Sequence, residues 1–391
     1  MKKLKYFWEN RKIKDNESCP CGSGAKFVSC CKGKPLNAIN TSKKPADVQI
    51  MEKVRSKMKK YCMYPDQEHC KGKIKVAHAL QNNKIISLLA GADRHVYMLN
   101  TKKKPLLIPM TDGEIIPIVE LSKISANDAT TETCFCDLHD NIAFAAIEKG
   151  APDFDETSEK MKFIYAYKAF IFEYYKQRIA FHIFRDNFKE NPVIFLSKDM
   201  VGMYRMFQLK DQEFEPIKSH FDEQIMAGTF EGIITCAVKI PEQIKFADYA
   251  YIAPDYDMNG TKIKHTVKGI MHRVAVTIFP EVNQSWLLVS CLKSEQYIYE
   301  KLFQQLKTAS LLKLKFYINL VLPLYSENMV LSAELWESWD EEVQMEYTYY
   351  ANLKGKEAIV IGRGIGFGLK NVSRQKSDDA YYNSPKINLF M

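Results

Sequence analysis

The chain has 391 residues, is 46% hydrophobic and carries a formal net charge of +8. That length holds two or three domains, and that apolar content fills a real core, which excludes a disordered chain. No apolar run long enough for a membrane span occurs, and the basic start at Lys2, Lys3 and Lys5 has no apolar stretch after it. The expectation is a cytoplasmic protein without a membrane partner, whose ten cysteines serve metal rather than disulfides. The charge is uneven: residues 1–76 hold 19 Lys and Arg against 7 Asp and Glu, a net of +12, while the other 315 residues carry −4.

The first predicted element is Cys19-Pro20-Cys21-Gly22-Ser23-Gly24-Ala25-Lys26-Phe27-Val28-Ser29-Cys30-Cys31, four thiols spaced C-x-C-x8-C-C. Pro20 stiffens the first turn, and Gly22 and Gly24 permit the positive φ of a tight loop around an ion. Four thiolates at tetrahedral reach make a closed structural zinc site, and a segment too short for a core draws its folding energy from the metal. A disulfide is the rival reading, but the adjacent Cys30 and Cys31 pair poorly with each other. The segment resembles the SEC-C metal-binding motif over CPCGSG, Lys26-Phe27, the CC pair and Lys32-Gly33. The resemblance implies a knuckle that docks on a protein partner. Residues 34–50, with Pro35, Asn37, Asn40, Ser42 and Pro45, read as a linker that isolates the knuckle. A short helix is expected over about 47–61, with Ile50, Val54 and Met58 on one face.

A second group of metal-type residues follows. Cys62 and Cys70 flank a Pro65-Asp66 turn, and Ile74–Ala77 is a strand ending at His78. Far downstream, Cys136-x-x-His139 opens a helix-like run that continues through 142–149. A pair ahead of a strand and a pair at a helix start describe a treble-clef zinc finger. His69, next to Cys70, offers an alternative ligand. This layout resembles the HNH-type ββα-metal endonucleases. The resemblance implies that Cys62, Cys70, Cys136 and His139 hold structural zinc. It implies that His78 is the general base toward a phosphodiester, and that Asp140 or Asn141 orients a separate Mg2+ ion. The chain departs from that family at Ala77, where an acidic residue is usual. It also departs in the 57 residues between His78 and Cys136, which require an insertion, and in its middle asparagine, for which Asn127 is the nearest counterpart. His78 as a structural histidine of the finger stays open.

Strands are expected at 96–99, 106–108 and 115–118, and a long helix over 156–190. Its aromatics Phe163, Tyr167, Phe170, Phe172, Tyr174, Tyr175, Phe181 and Phe184 read as core rather than as a stacking platform. Helix continues through about 198–224. Strands follow at 233–238, 249–253, 273–278 and 285–290, then helix over 294–324. An acidic run from Glu334 to Glu346 reads as a solvated helix face. The glycine-rich stretch 362–368 lacks the Lys-Ser/Thr of a phosphate loop and carries no helix signal, and 371–391 reads as a tail. Cys134, Cys236 and Cys291 have no partners at metal spacing, and the last two sit in apolar strands as buried thiols.

The sequence therefore describes an α+β protein: a knuckle over 1–34, a linker and short helix over 35–61, an HNH-like treble-clef zinc domain over 62–155, a mixed helix/strand domain over 156–370, and a tail. Two zinc ions and nucleic-acid binding through residues 1–76 are the expected properties. Nuclease activity in a bacterial defence or mobile-element setting is what the second resemblance implies. The alternative is a non-catalytic adaptor that docks on a ribosome, chaperone or partner protein.

Overall fold

The computed structural model describes residues 12–32, 34, 60–71, 73–101, 103, 105–109, 115–148, 150–190, 198–353, 355–375 and 385–391. The helix expected over 47–61 and the linker at 34–50 lie almost wholly outside these. The chain forms two compact units. The first comprises Met1–Tyr61, Glu173–Glu223 and Thr266–Met271, and the second Cys62–Phe172, Gln224–His265 and His272–Met391.

In chain order the strands are β1 (Ile74–His78), β2 (His95–Leu99), β3 (Leu106–Pro109), β4 (Ile115–Ile118), β5 (Leu121–Ser125), β6 (Thr131–Cys136), β7 (Ile233–Ile240), β8 (Phe246–Ile252), β9 (Thr266–Val267), β10 (Ile270–Met271), β11 (Val274–Glu281), β12 (Gln284–Leu292) and β13 (Val330–Leu331). The helices are α1 (Asp137–Phe144), α2 (Glu159–Glu190), α3 (Lys198–Ala227), α4 (Gln296–Thr308), α5 (Leu311–Tyr325), α6 (Ala333–Ser338), α7 (Glu341–Asn352) and α8 (Gly355–Arg374). The mixed helix-and-strand content agrees with the α+β reading, and among the described residues no helix is long and apolar enough to cross a membrane.

The second unit is built on an antiparallel seven-stranded sheet of order β5-β2-β13-β8-β11-β12-β7. The two residues of β13 join its halves, with Leu331 paired to Tyr97 on one side and to Phe246 on the other. Because β2 and β5 belong to it, the sheet runs across the division expected at 155/156. The expected insertion between His78 and Cys136 thus gives two strands to the main sheet, while β3 and β4 pair only with each other. α4 and α5 supply Tyr299, Leu302, Phe303, Leu314, Ile318 and Leu322 to its core. The helix expected over 294–324 is two, because the backbone turns extended at Ala309 and Ser310 restarts it by accepting the Lys313 amide at 3.4 Å.

The eight aromatics of the long helix are all buried, as a core stripe requires. Glu334, Glu337, Asp340, Glu341 and Glu342 are exposed on α6, α7 and the turn between them. Two expectations are corrected. The glycine run 362–368 lies inside α8, and residues 385–391 pack into the core instead of trailing. Ile387 and Leu389 are buried there, and the Leu389 amide donates to Asn319 Oδ1 at 2.9 Å. Glycine is a poor helix former, but here close packing demands it. A Cβ on Gly366 would lie 2.5 Å from the Tyr256 ring, and one on Gly260 would lie 2.4 Å from the Gly366 carbonyl.

Candidate metal centres

The first centre forms inside the first unit. The Cys19 amide donates to the Ala25 carbonyl at 2.7 Å and the Gly22 amide to the Cys19 carbonyl at 3.0 Å, closing a loop in which Gly22 and Gly24 both sit at φ +78°. A 3-10 turn over Phe27–Ser29 then delivers Cys30 and Cys31. Sγ of Cys21 lies 3.6 Å from that of Cys30, which lies 3.8 Å from that of Cys31. These spacings exclude disulfides, whose sulfurs stand about 2.05 Å apart. They fit a tetrahedral zinc, for which bonds of about 2.3 Å put sulfurs about 3.8 Å from one another. Burial pushes the Cys19 thiol up to about 11 and raises Cys31 further. Burial also works to raise Cys21, but hydrogen bonds from Ser23 and the neighbouring thiols bring it down to about 6.

The knuckle is not isolated, as the linker reading expected. Phe188 of α2, fully buried, packs against Cys19 and Cys31, and its ring centroid lies 6.1 Å from that of Phe27. Arg205 of α3 pairs with Glu17 and donates to the Lys12 carbonyl at 3.3 Å. Arg185, its guanidinium 4.0 Å from the Phe181 ring centroid, lies where a side chain at Gly22 would sit. Sequence reasoning missed this platform. Its one signal is that Phe188 continues the stripe of Phe181 and Phe184 at helical spacing.

The second centre is assembled from residues up to 77 apart. β1 and β6 pair antiparallel with Ile74 opposite Cys136, which brings Cys70 back to the start of α1. The Met63 amide donates to the Cys134 carbonyl at 2.8 Å, which seats Cys62 beside them, and Cys62 Sγ accepts the Cys136 amide at 3.4 Å. His139, on the first turn of α1, points Nδ1 at Cys62 Sγ (3.5 Å) and Cys70 Sγ (3.6 Å), and the Cys70 and Cys136 sulfurs are 3.8 Å apart. A zinc with three sulfurs and one nitrogen requires about 3.8 Å and about 3.5 Å. Tyr64 stacks on the His139 ring at 4.3 Å. Burial lowers the His139 pKa, so the imidazole is neutral and its lone pair available. Cys70, nearest solvent, is pushed up to about 12 by burial and by the neighbouring thiols. His69 is not in the set; it pairs with Asp66 at 2.8 Å.

The structure thus brings together both expected ligand sets, Cys19/Cys21/Cys30/Cys31 and Cys62/Cys70/Cys136/His139. Among the described residues these are the groups of Cys, His, Asp and Glu with the geometry to hold an ion. No such group surrounds His78, and the Mg2+ expected there gains no support. His78 ends β1, and its Nδ1 lies 2.9 Å from the Ala129 carbonyl. A carbonyl only accepts, so Nδ1 carries the proton and Nε2 a lone pair. Burial lowers the His78 pKa against the pull of that carbonyl. Asp140 is buried and paired with Lys75 at 3.0 Å, and Asn141 is exposed on α1. Asn127 Oδ1 accepts from Asn82 at 3.0 Å. Cys236 and Cys291 are buried thiols, as expected, and Cys134 is buried as well. No protein-family model, curated protein or solved structure matches the chain.

Proposed function

We propose that this chain is a zinc-stabilised nucleic-acid-binding protein whose two zinc ions are structural and whose basic residues 1–76 contact the polyanion. The observation that carries the reading is the completeness of both ligand sets. Four protein donors leave no open position for a substrate or water, which is the mark of a structural site. Asp140, which follows His139 in the chain, is held by Lys75 and is not offered to a further ion. The antiparallel β1–β6 pair followed by α1, with one ligand pair ahead of β1 and the other at the helix start, supports the treble-clef reading of that centre.

The test is anisotropy of a labelled nucleic acid in salt titration. With about four phosphates neutralised, affinity falls about 100-fold between 50 and 200 mM salt. Reversing Lys2, Lys3 and Lys5 to Glu removes most of that dependence. A salt-independent association with a purified protein partner, and none with DNA or RNA, favours the adaptor instead. A second reading, an HNH-like nuclease, is favoured by one observation. The Ala129 carbonyl fixes the His78 tautomer that leaves Nε2 bare, as a proton acceptor needs. Under that reading His78→Ala abolishes Mg2+-dependent cleavage while both zinc ions remain bound. The bacterial defence setting belongs to that reading alone.

A further inference from the structure

α8 turns two different faces to its surroundings. Its inner face is closed against the second unit: Gly362, Gly366 and Leu369 are buried, and Ile365 and Val372 pack on the core. Its outer face carries Arg363, Phe367, Lys370 and Arg374. These recur at i, i+4, i+7 and i+11 and so share one stripe. Phe367 is 68% exposed, more than any other large apolar side chain among the described residues. Val360, two turns earlier on the same face, is 63% exposed. Side chains added at Gly364 and Gly368 would meet nothing within 4 Å, so the backbone there lies bare. Among the described residues Arg363, Lys370 and Arg374 make no ion pair.

We propose that this outer face of α8 is a second contact for single-stranded nucleic acid, with Arg363, Lys370 and Arg374 on phosphates spaced along the strand and Phe367 stacked on a base. The proposal rests on the nucleic-acid reading above and extends it to a different unit of the molecule. Charge complementarity selects the occupant. From Arg363 to Arg374 the helix rises about 16 Å, and a strand that keeps duplex-like stacking at about 3.4 Å per nucleotide passes about five phosphates in that length. An exposed aromatic between cations is the combination that grips single strands without reading sequence. A lipid surface fits less well, because the cations lie along the middle of the exposed stripe and the continuous apolar face is already buried in the protein.

The experiment uses the full chain and a fluorescein-labelled 20-nucleotide DNA strand. The triple variant Arg363→Glu, Lys370→Glu, Arg374→Glu is expected to bind at least about tenfold more weakly at 50 mM salt. Its plot of log affinity against log salt flattens by about 2, the slope of three lost phosphate contacts. Phe367→Ala weakens binding about tenfold with the slope unchanged. Zinc content and thermal midpoint of both variants stay at the unaltered values, because these side chains touch nothing inside. The Lys2, Lys3 and Lys5 to Glu variant runs beside them. Loss in that variant alone overturns the α8 contact and leaves the N-terminal reading standing. Loss in the α8 variants alone upholds this contact and overturns the N-terminal one. Binding to vesicles with 30% phosphatidylserine that disappears in the triple variant, with the DNA affinity unmoved, assigns the face to lipid and overturns the proposal.

Discussion

The two metal centres reach the same tetrahedral donor geometry by opposite routes. The first takes all its ligands from Cys19 to Cys31 and then leans on Phe188 and Arg205. The second takes its ligands from Cys62 to His139 and is itself the join between a loop, a pair of strands and a helix. The difference shows where each ion's binding energy goes. In the first it folds a short segment that then packs on two long helices. In the second it closes a loop that contains β2 and β5 of the main sheet, so losing the ion opens the frame of that unit.

The comparison breaks most readily at a ligand. Cys136→Ser is expected to reduce bound zinc from two ions per chain to one and to lower the thermal midpoint of the main transition by about 10 °C or more. Cys19→Ser loses one zinc as well, but the main transition stays within about 2 °C and a separate, earlier transition appears. Elemental analysis together with calorimetry reads both outcomes. Equal effects on the main transition would erase the distinction between the centres.

A smaller effect sharpens it. Phe188→Ala removes a buried ring against Cys19 and Cys31 and is expected to cost about 3 kcal/mol in the first unit. It speeds zinc loss to a chelator from the first centre and leaves loss from the second unchanged. The smallest effect is on pH. The raised pKa values of Cys19 and Cys70 mean that, without metal, their protons stay on at pH 7, so zinc must displace them and its affinity falls as pH falls. His139, lowered by burial, gives up no proton at pH 7. Titration toward pH 5 is therefore expected to release both ions, with protons taken up by the freed thiols. Calorimetry in buffers of different ionisation enthalpy counts them.

Both ligand sets were legible because zinc chemistry is local in residue type. Cys19-x-Cys21 and Cys136-x-x-His139 announce donors whatever surrounds them. The long amphipathic and aromatic stretches, α2 and α3, and the β-branched runs of β7, β11 and β12 were legible for the same reason: their period is written in consecutive residues. What the sequence hid is non-local. β13 is two residues long, too short for any pattern, yet it joins β2 to β8. α8 contains four glycines in seven residues and looks broken, but Tyr256 and Gly260 admit only a bare backbone at Gly366. The fit of Phe188 to the knuckle depends on residues more than 150 positions apart.

The span of the second ligand set also imposes an order in time. At about 5–20 residues per second of synthesis, Cys19 and Cys31 leave the ribosome within about 1–2 s of each other, and their ion can be taken up at once. Cys70 waits about 3–13 s for Cys136. For that interval the nascent chain carries a half-made site whose thiols are open to oxidation or to a wrong metal. The yield of correctly loaded protein is therefore set at the second centre, and it is expected to respond to zinc supplied during translation more than to zinc added afterwards.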